Sequence, residues 1–134
     1  MFFSEEPMDI FLSAPYFHQS KYTQYGSILP GEFNIGQWFR PYFFEVQMWN
    51  SKGEFHVGAN EPIFYASFLT NKNVELKRFN YNDTLRSYSA ALLEGNKMFG
   101  RGQSLLSRYH RFNSIGMRER ILKEIHNNVI DEII

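Results

Sequence analysis

Between Arg40 and Phe79 apolar and polar positions alternate in four short runs divided by turn chemistry. Tyr42, Phe44, Val46 and Met48 fall on one side at the period of a strand, with Phe43, Glu45, Gln47 and Trp49 on the other. Asn50-Ser51-Lys52-Gly53 suits the close of a hairpin, because glycine takes a positive φ without steric cost, and Phe55-His56-Val57 reads as the return strand. Gly58 to Pro62 turns the chain again into a longer run, Ile63 to Leu69. Asn71-Lys72-Asn73 turns it once more into Val74 to Phe79. The pattern predicts an antiparallel meander.

Upstream the signals are shorter. Met1 to Met8 reads as an arm, since Glu5-Glu6-Pro7 disfavours regular structure, and Asp9-Ile10-Phe11-Leu12 as an edge strand. Residues 14–26 have no clear period and read as a long Tyr-rich loop holding at most one strand. Ser27-Ile28-Leu29 is a short strand stopped by Pro30-Gly31. From Glu32 to Arg40 a bulged strand and a tight loop both fit.

After residue 80 the period lengthens. Asn82-Asp83-Thr84 supplies cap residues before Leu85, Tyr88, Ala91 and Leu92, and Gly95-Asn96 supplies a stop. Gly100 to Gly102 is a joint, and Ser104 caps a second helix presenting Leu105, Leu106, Tyr109 and Phe112. A third helix starts near Ser114, with a stripe of Met117, Ile121, Leu122, Ile125, Val129, Ile130 and Ile133. Strands first and helices last predict an α+β fold. It is mainly an antiparallel sheet, a meander with β-clip or jelly-roll-like character, followed by two or three C-terminal helices. Residues 1–134 read as a single domain, β-rich over 1–80 and helical over 81–134.

Composition narrows the function classes. The absence of cysteine excludes disulfides, thiolate metal sites and cysteine nucleophiles. No apolar run is long enough to span a bilayer, and the acidic start lacks the basic region of a signal peptide. A cytoplasmic protein is therefore expected, without a membrane partner and without a cofactor. The net charge of zero hides an asymmetry: residues 1–67 hold three Lys/Arg against seven Asp/Glu, and residues 68–134 hold eleven against seven. Aromatic residues make up 18% of the chain, more than strand propensity needs, and Tyr and Trp favour interfaces.

Motifs for catalysis are missing. His18, His56, His110 and His126 are scattered, and none stands at metal-ligand spacing. His56, between Phe55 and Val57, reads as a solvated histidine on a sheet face, with a ligand contact as the alternative. No phosphate-binding glycine loop or nucleophile elbow occurs. Glu45 is explained by a polar outer face. Lys97, Arg101, Arg108, Arg111, Arg118, Arg120 and Lys123 stand against Glu119 alone over residues 97–123, a patch suited to phosphates or to a solvated helix face.

Val46-Gln47-Met48-Trp49-Asn50, then Phe55-His56-Val57, then Glu61-x-Ile63 followed by Phe68, resemble the late strands of the dUTPase and dCTP-deaminase superfamily. Pro30-Gly31 stand where that family places the Pro-Gly near its G-x-I-D-x-x-Y motif. The resemblance covers residues 30–69 and implies a β-clip or jelly-roll-like sheet. It does not carry the enzyme. Asn34 occupies the place of the catalytic aspartate, and an amide cannot act as the general base that activates water. Trp38-Phe39 occupy the region of the family's tyrosine and arginine, and its serine and C-terminal glycine-rich motifs are not evident. In overall style the chain also resembles small proteins of marine bacteriophages and metagenomes, a resemblance that implies no activity.

The expectation that follows is a non-enzymatic binding or assembly protein. It would act through aromatic surface, as a homo-oligomer or on a protein partner, with residues 14–26 and Trp38-Phe39 as the adhesive part. A second reading is a nucleotide or phosphorylated small-molecule site. There Trp38 or Tyr42 would stack a base, His56 would lie nearby, and Arg101, Arg108 or Arg111 would take phosphate. A third is nucleic-acid binding through residues 97–123, which a net charge of zero disfavours.

Overall fold

A computed structural model describes residues 1–49, 54–94 and 104–130. The chain crosses four times between two compact units. A sheet unit comprises Asp9–Phe33 and Tyr42–Thr70, and a helical unit comprises Met1–Met8, Asn34–Pro41 and Asn71–Ile134. The fold is α+β with antiparallel strand pairing, as the periodicity predicts.

In the sheet unit, β1 (Asp9–Ser13) pairs antiparallel with β5 (Tyr65–Leu69), and β3 (Gly31–Asn34) lies on the other side of β1. Opposed residues share a face, so Ile10↔Phe68 and Leu12↔Ala66 point one way, where Ile10 and Leu12 are buried. Asp9↔Leu69, Phe11↔Ser67 and Ser13↔Tyr65 point the other way, where Phe11 and Leu69 are exposed. A second sheet pairs β2 (Gly26–Ile28) with β4 (Val46–Met48). Its ladder is extended by Leu29 N donating to Glu45 O at 2.9 Å and Trp49 N to Tyr25 O at 3.0 Å. A 3-10 turn, Lys21–Gln24, leads into β2 and buries Tyr22.

The meander is corrected at the level of pairing. β4 pairs back to β2, and β5 to β1, rather than with their sequence neighbours. Phe55 to Val57 and Val74 to Lys77 form no strand. The intended turn at residues 50–53 lies outside the described residues. The physical reason is that alternation specifies a half-buried strand but not its partner. The half-buried apolar face of β5, Ala66 and Phe68, is set against the buried Ile10 and Leu12, far away in sequence.

The helical unit follows the 3.6-residue pattern. α1 (Asp83–Glu94) starts with Asn82 Oδ1 accepting from Leu85 N at 2.9 Å, and α2 (Leu105–Ser114) with Ser104 Oγ accepting from Ser107 N at 3.2 Å. α3 (Met117–Asn127) follows after Gly116, whose φ of 64° is left-handed and favours a residue without a Cβ. Leu85, Leu92, Phe112, Ile121 and Phe39 close one core, with Phe3, Phe79, Tyr81, Tyr88, Met117 and Ile125 packed around it. Phe3 stands edge-on to Phe39 and Phe112, at 5.2 and 6.4 Å between ring centroids.

The third helix is shorter than its apolar stripe. Asn128 ends it, its N–H donating to Ile125 O at 2.9 Å and its side-chain amide to Glu124 O at 2.8 Å. Val129 and Ile130 then form β7, antiparallel to β6 (Arg78–Phe79). Consecutive Asn residues favour local side-chain to backbone bonds over a further turn, and the β-branched pair prefers a ladder. Ile133 lies outside the described residues.

The first residues are held inside the same unit. Ser4 N donates to Ile35 O at 3.1 Å, and Ile35 N to Met8 O at 2.8 Å. Arg118 of α3 donates from Nε to Gly36 O at 2.8 Å and from Nη2 to the carbonyls of Ser4 and Glu5. A Cβ on Gly36 would stand 2.3 Å from Glu6 O, so only glycine permits this approach. The arm is thus an integral part of the helical unit.

Candidate functional site

Two places carry chemistry that packing alone does not absorb. The first is at one end of the β1–β5 ladder in the sheet unit. Pro15 is buried, and its carbonyl accepts from His18 N at 3.1 Å, which closes a turn with Tyr16 and Phe17 at its centre. Turn centres favour glycine and small polar residues, yet here two aromatic side chains stand 72% and 81% exposed. Tyr65, at the start of β5, collects them. Its ring centroid lies 5.1 Å from Tyr16, 6.3 Å from Phe17 and 5.8 Å from His18, and its hydroxyl hydrogen-bonds His18 Nδ1.

The same unit also exposes Phe43 at its edge and Trp49, whose indole N–H is anchored to Gln24 O at 3.1 Å. Every exposed aromatic among the described residues (Phe11, Tyr16, Phe17, Phe43, Phe44 and Trp49) belongs to this unit. Its sequence contains two Lys, no Arg and five Asp/Glu, so the aromatic surface sits on an acidic background.

Tyr22 fixes the interior of the unit. It is 1% exposed, its hydroxyl donates to Ile63 O at 3.0 Å, and its ring lies 4.6 Å from Phe55. Burial raises its hydroxyl above the ordinary value of 10.0. A hydrogen bond with Ser20 opposes that rise, and Glu61 and Tyr65 add to it.

The second place is in the helical unit, where α1 ends and α2 begins. Arg108 donates from Nη1 to Leu93 O at 2.5 Å, and the next residue, Tyr109, stacks on Trp38 with centroids 6.1 Å apart and planes 14° apart. The Arg40 guanidinium carbon lies 5.7 Å from the Trp38 ring centroid. Three buried polar atoms have no hydrogen-bond partner among the described residues: Trp38 Nε1, Ser89 Oγ and Arg108 Nε. Leaving such a group unpaired costs about 1–3 kcal/mol, more where it is charged.

The residues singled out by sequence are therefore dispersed. Trp38, Arg108 and Arg111 lie in the helical unit, Tyr42 and His56 in the sheet unit, and Arg101 outside the described residues. Trp38 packs on Tyr109 of α2, the residue that follows Arg108, while Arg111 is exposed on the same helix. Tyr42 stands edge-on to Phe33 at 5.2 Å, and His56 is solvated, with Nε2 2.5 Å from Glu54 Oε2. Trp38 and Phe39 are corrected as adhesive surface, being 7% and 0% exposed, because the helical core and Tyr109 cover them. Asn34 Oδ1 accepts from Gly36 N at 3.2 Å, a turn-forming role.

Tyr65 and Ser89 were not legible as site residues. Tyr65 gains its role from the register that sets it opposite Ser13, and Ser89 from burial on α1. Among the described residues no group of His, Asp and Glu is placed to hold a metal ion, and no helix is long and apolar enough to cross a membrane. Comparison of the chain with protein-family models, curated proteins and solved structures found no match. Function is accordingly read from the chain's own surface and buried groups.

Proposed function

We propose that the chain is a binding or assembly protein that uses the aromatic surface of its sheet unit to associate with a second copy of itself. The observation that carries this reading is the confinement of all exposed aromatics among the described residues to one unit. Large rings left in water lower no folding free energy, whereas burying them against a partner removes apolar area worth about 25 cal/mol per Å². β5 adds a second support, standing at the end of its strand order, β3-β1-β5. An antiparallel strand pairs with its own copy about a two-fold axis, so one edge serves both partners.

Sedimentation velocity over a wide concentration range tests the reading, with a double variant, Tyr16→Ser and Phe17→Ser, beside the wild type. Concentration-dependent association that the variant loses is the expected result. A strict monomer that binds no more apolar dye than the variant overturns the proposal. A monomer whose dye binding the variant abolishes transfers the surface from a second copy to a different protein.

A further inference from the structure

We propose that the second copy meets the aromatic turn of the sheet unit with the outward face of its α2, so that Arg111 of one copy lies over the rings of Tyr16 and Phe17 of the other. The inference rests on the association proposed above and adds the partner surface.

Charge decides against the simplest alternative, turn against turn. The sheet unit holds two Lys against five Asp/Glu, and the helical unit twelve Lys/Arg against nine Asp/Glu. Two acidic surfaces brought face to face repel, whereas an acidic surface and a basic one attract. The rings act in the same sense, because an aromatic face is electron-rich and draws a cation, more often arginine than lysine. They are also held in place. The bond from His18 N to Pro15 O closes the turn, and Tyr65 packs 5.1 Å from Tyr16 and 6.3 Å from Phe17, so little freedom is left to lose on binding.

Among the three helices, α2 alone combines what such rings require. Leu105–Ser114 holds two arginines and no acidic residue. α1 carries Asp83 and Glu94, with Arg86 3.7 Å from Asp83, and α3 carries Glu119 and Glu124 among its cations. The two arginines of α2 have different fates. Arg108 is tied down by its bond to Leu93 O, while Arg111 is exposed and forms no ion pair among the described residues. Ser107 and Ser114, one turn to either side of Arg111, are exposed, short and uncharged, so they leave its guanidinium accessible. Ile115 N donates to Arg111 O at 3.2 Å, and the Ile115 side chain is 46% exposed. A cation and an apolar side chain thus stand together, the pairing that an exposed Tyr and Phe would cover.

Sedimentation velocity tests this with two variants and their mixture. Tyr16→Ser with Phe17→Ser removes the rings, and Arg111→Gln with Ile115→Ser removes the cation and its apolar neighbour. A two-fold pair presents the contact twice, once from each copy, so a mixed pair of the two variants keeps one intact contact. Each variant alone should associate about tenfold more weakly than the wild type, their equimolar mixture more tightly than either, and added salt should weaken the wild type. Arg111→Gln alone gives the same result at smaller amplitude should Ile115→Ser disturb the helix end. Arg86→Gln removes an exposed cation of α1 and should change nothing. Undiminished association of the Arg111 variants, with loss in the ring variant, overturns this inference and leaves the association itself standing. So does a mixture as dissociated as its components, or an equal loss in Arg86→Gln, which would mark bulk charge. A monomeric wild type removes both.

Discussion

Phe39 and Phe112 of the helical unit are fully buried, whereas Phe17 and Phe43 of the sheet unit stand 81% and 75% exposed. Both units draw on the same aromatic-rich sequence, so residue type does not explain the difference. Three helices with apolar stripes close around a shared centre and enclose rings from the arm, from residues 34–41 and from α2. The sheet unit has only a three-stranded and a two-stranded sheet, with short ladders. Each strand offers one face to the interior, and the rings on the other face and in the turn at Tyr16-Phe17 stay in solvent. Burial in the helical unit is accounted for by folding. Exposure in the sheet unit is what the proposed association with a second copy would account for.

The contrast is tested most severely by truncating one ring from each unit. Phe112→Ala should cost about 3–5 kcal/mol by opening a cavity in the helical core. Phe17→Ala should leave stability within about 0.5 kcal/mol, as an exposed substitution does. Denaturant midpoints of both variants measure this, and comparable losses would abolish the distinction.

Gly36→Ala comes next. The new Cβ meets backbone at Glu6 and Pro7, neither of which is a flexible side-chain end, so the arm must shift. A loss of about 1–3 kcal/mol is expected, together with faster amide exchange at Ser4 and Ile35, whose hydrogen bond ties the arm down. Unchanged exchange there would show the arm to be held without that approach.

The smallest effect sharpens the comparison from the sheet side. Tyr22 has its hydroxyl raised above 10.0 chiefly by burial. Its neutral form is favoured in the folded state, so its contribution is present in full below the unfolded value of 10.0. That contribution is lost as pH climbs through the raised folded value. Tyr22→Phe should therefore flatten the decline in stability above about pH 10 while costing about 1 kcal/mol at neutral pH for the lost hydrogen bonds. Parallel pH profiles for wild type and variant would show that Tyr22 is not held neutral.

Helices were legible in the chain because their determinants are local. The caps at Asn82 and Ser104 each lie within a few turns of the apolar residues they precede, Leu85 and Leu92 in one case and Phe112 in the other. α1 and α2 form where these place them, while α3 starts later than the expected Ser114 and stops before its apolar stripe does. The alternation of Val46, Gln47, Met48 and Trp49 likewise holds, with Gln47 and Trp49 outward. Residues 14–26, read as an aromatic loop, carry the exposed pair Tyr16 and Phe17.

Pairing and burial were decided only in three dimensions. Period 2 gives a strand its two faces, but the partner is chosen by long-range closure, which set β5 on β1 and carried Val129-Ile130 back to Arg78-Phe79. Trp38 has the composition of an adhesive residue and became interior because Tyr109 of a distant helix stacks on it. Ser89 is unremarkable in sequence and Arg108 is one of several basic residues there, and it is packing that leaves a polar atom of each unpaired. Local order follows from neighbours along the chain. Sites depend on side chains that meet only when segments far apart in sequence are brought together.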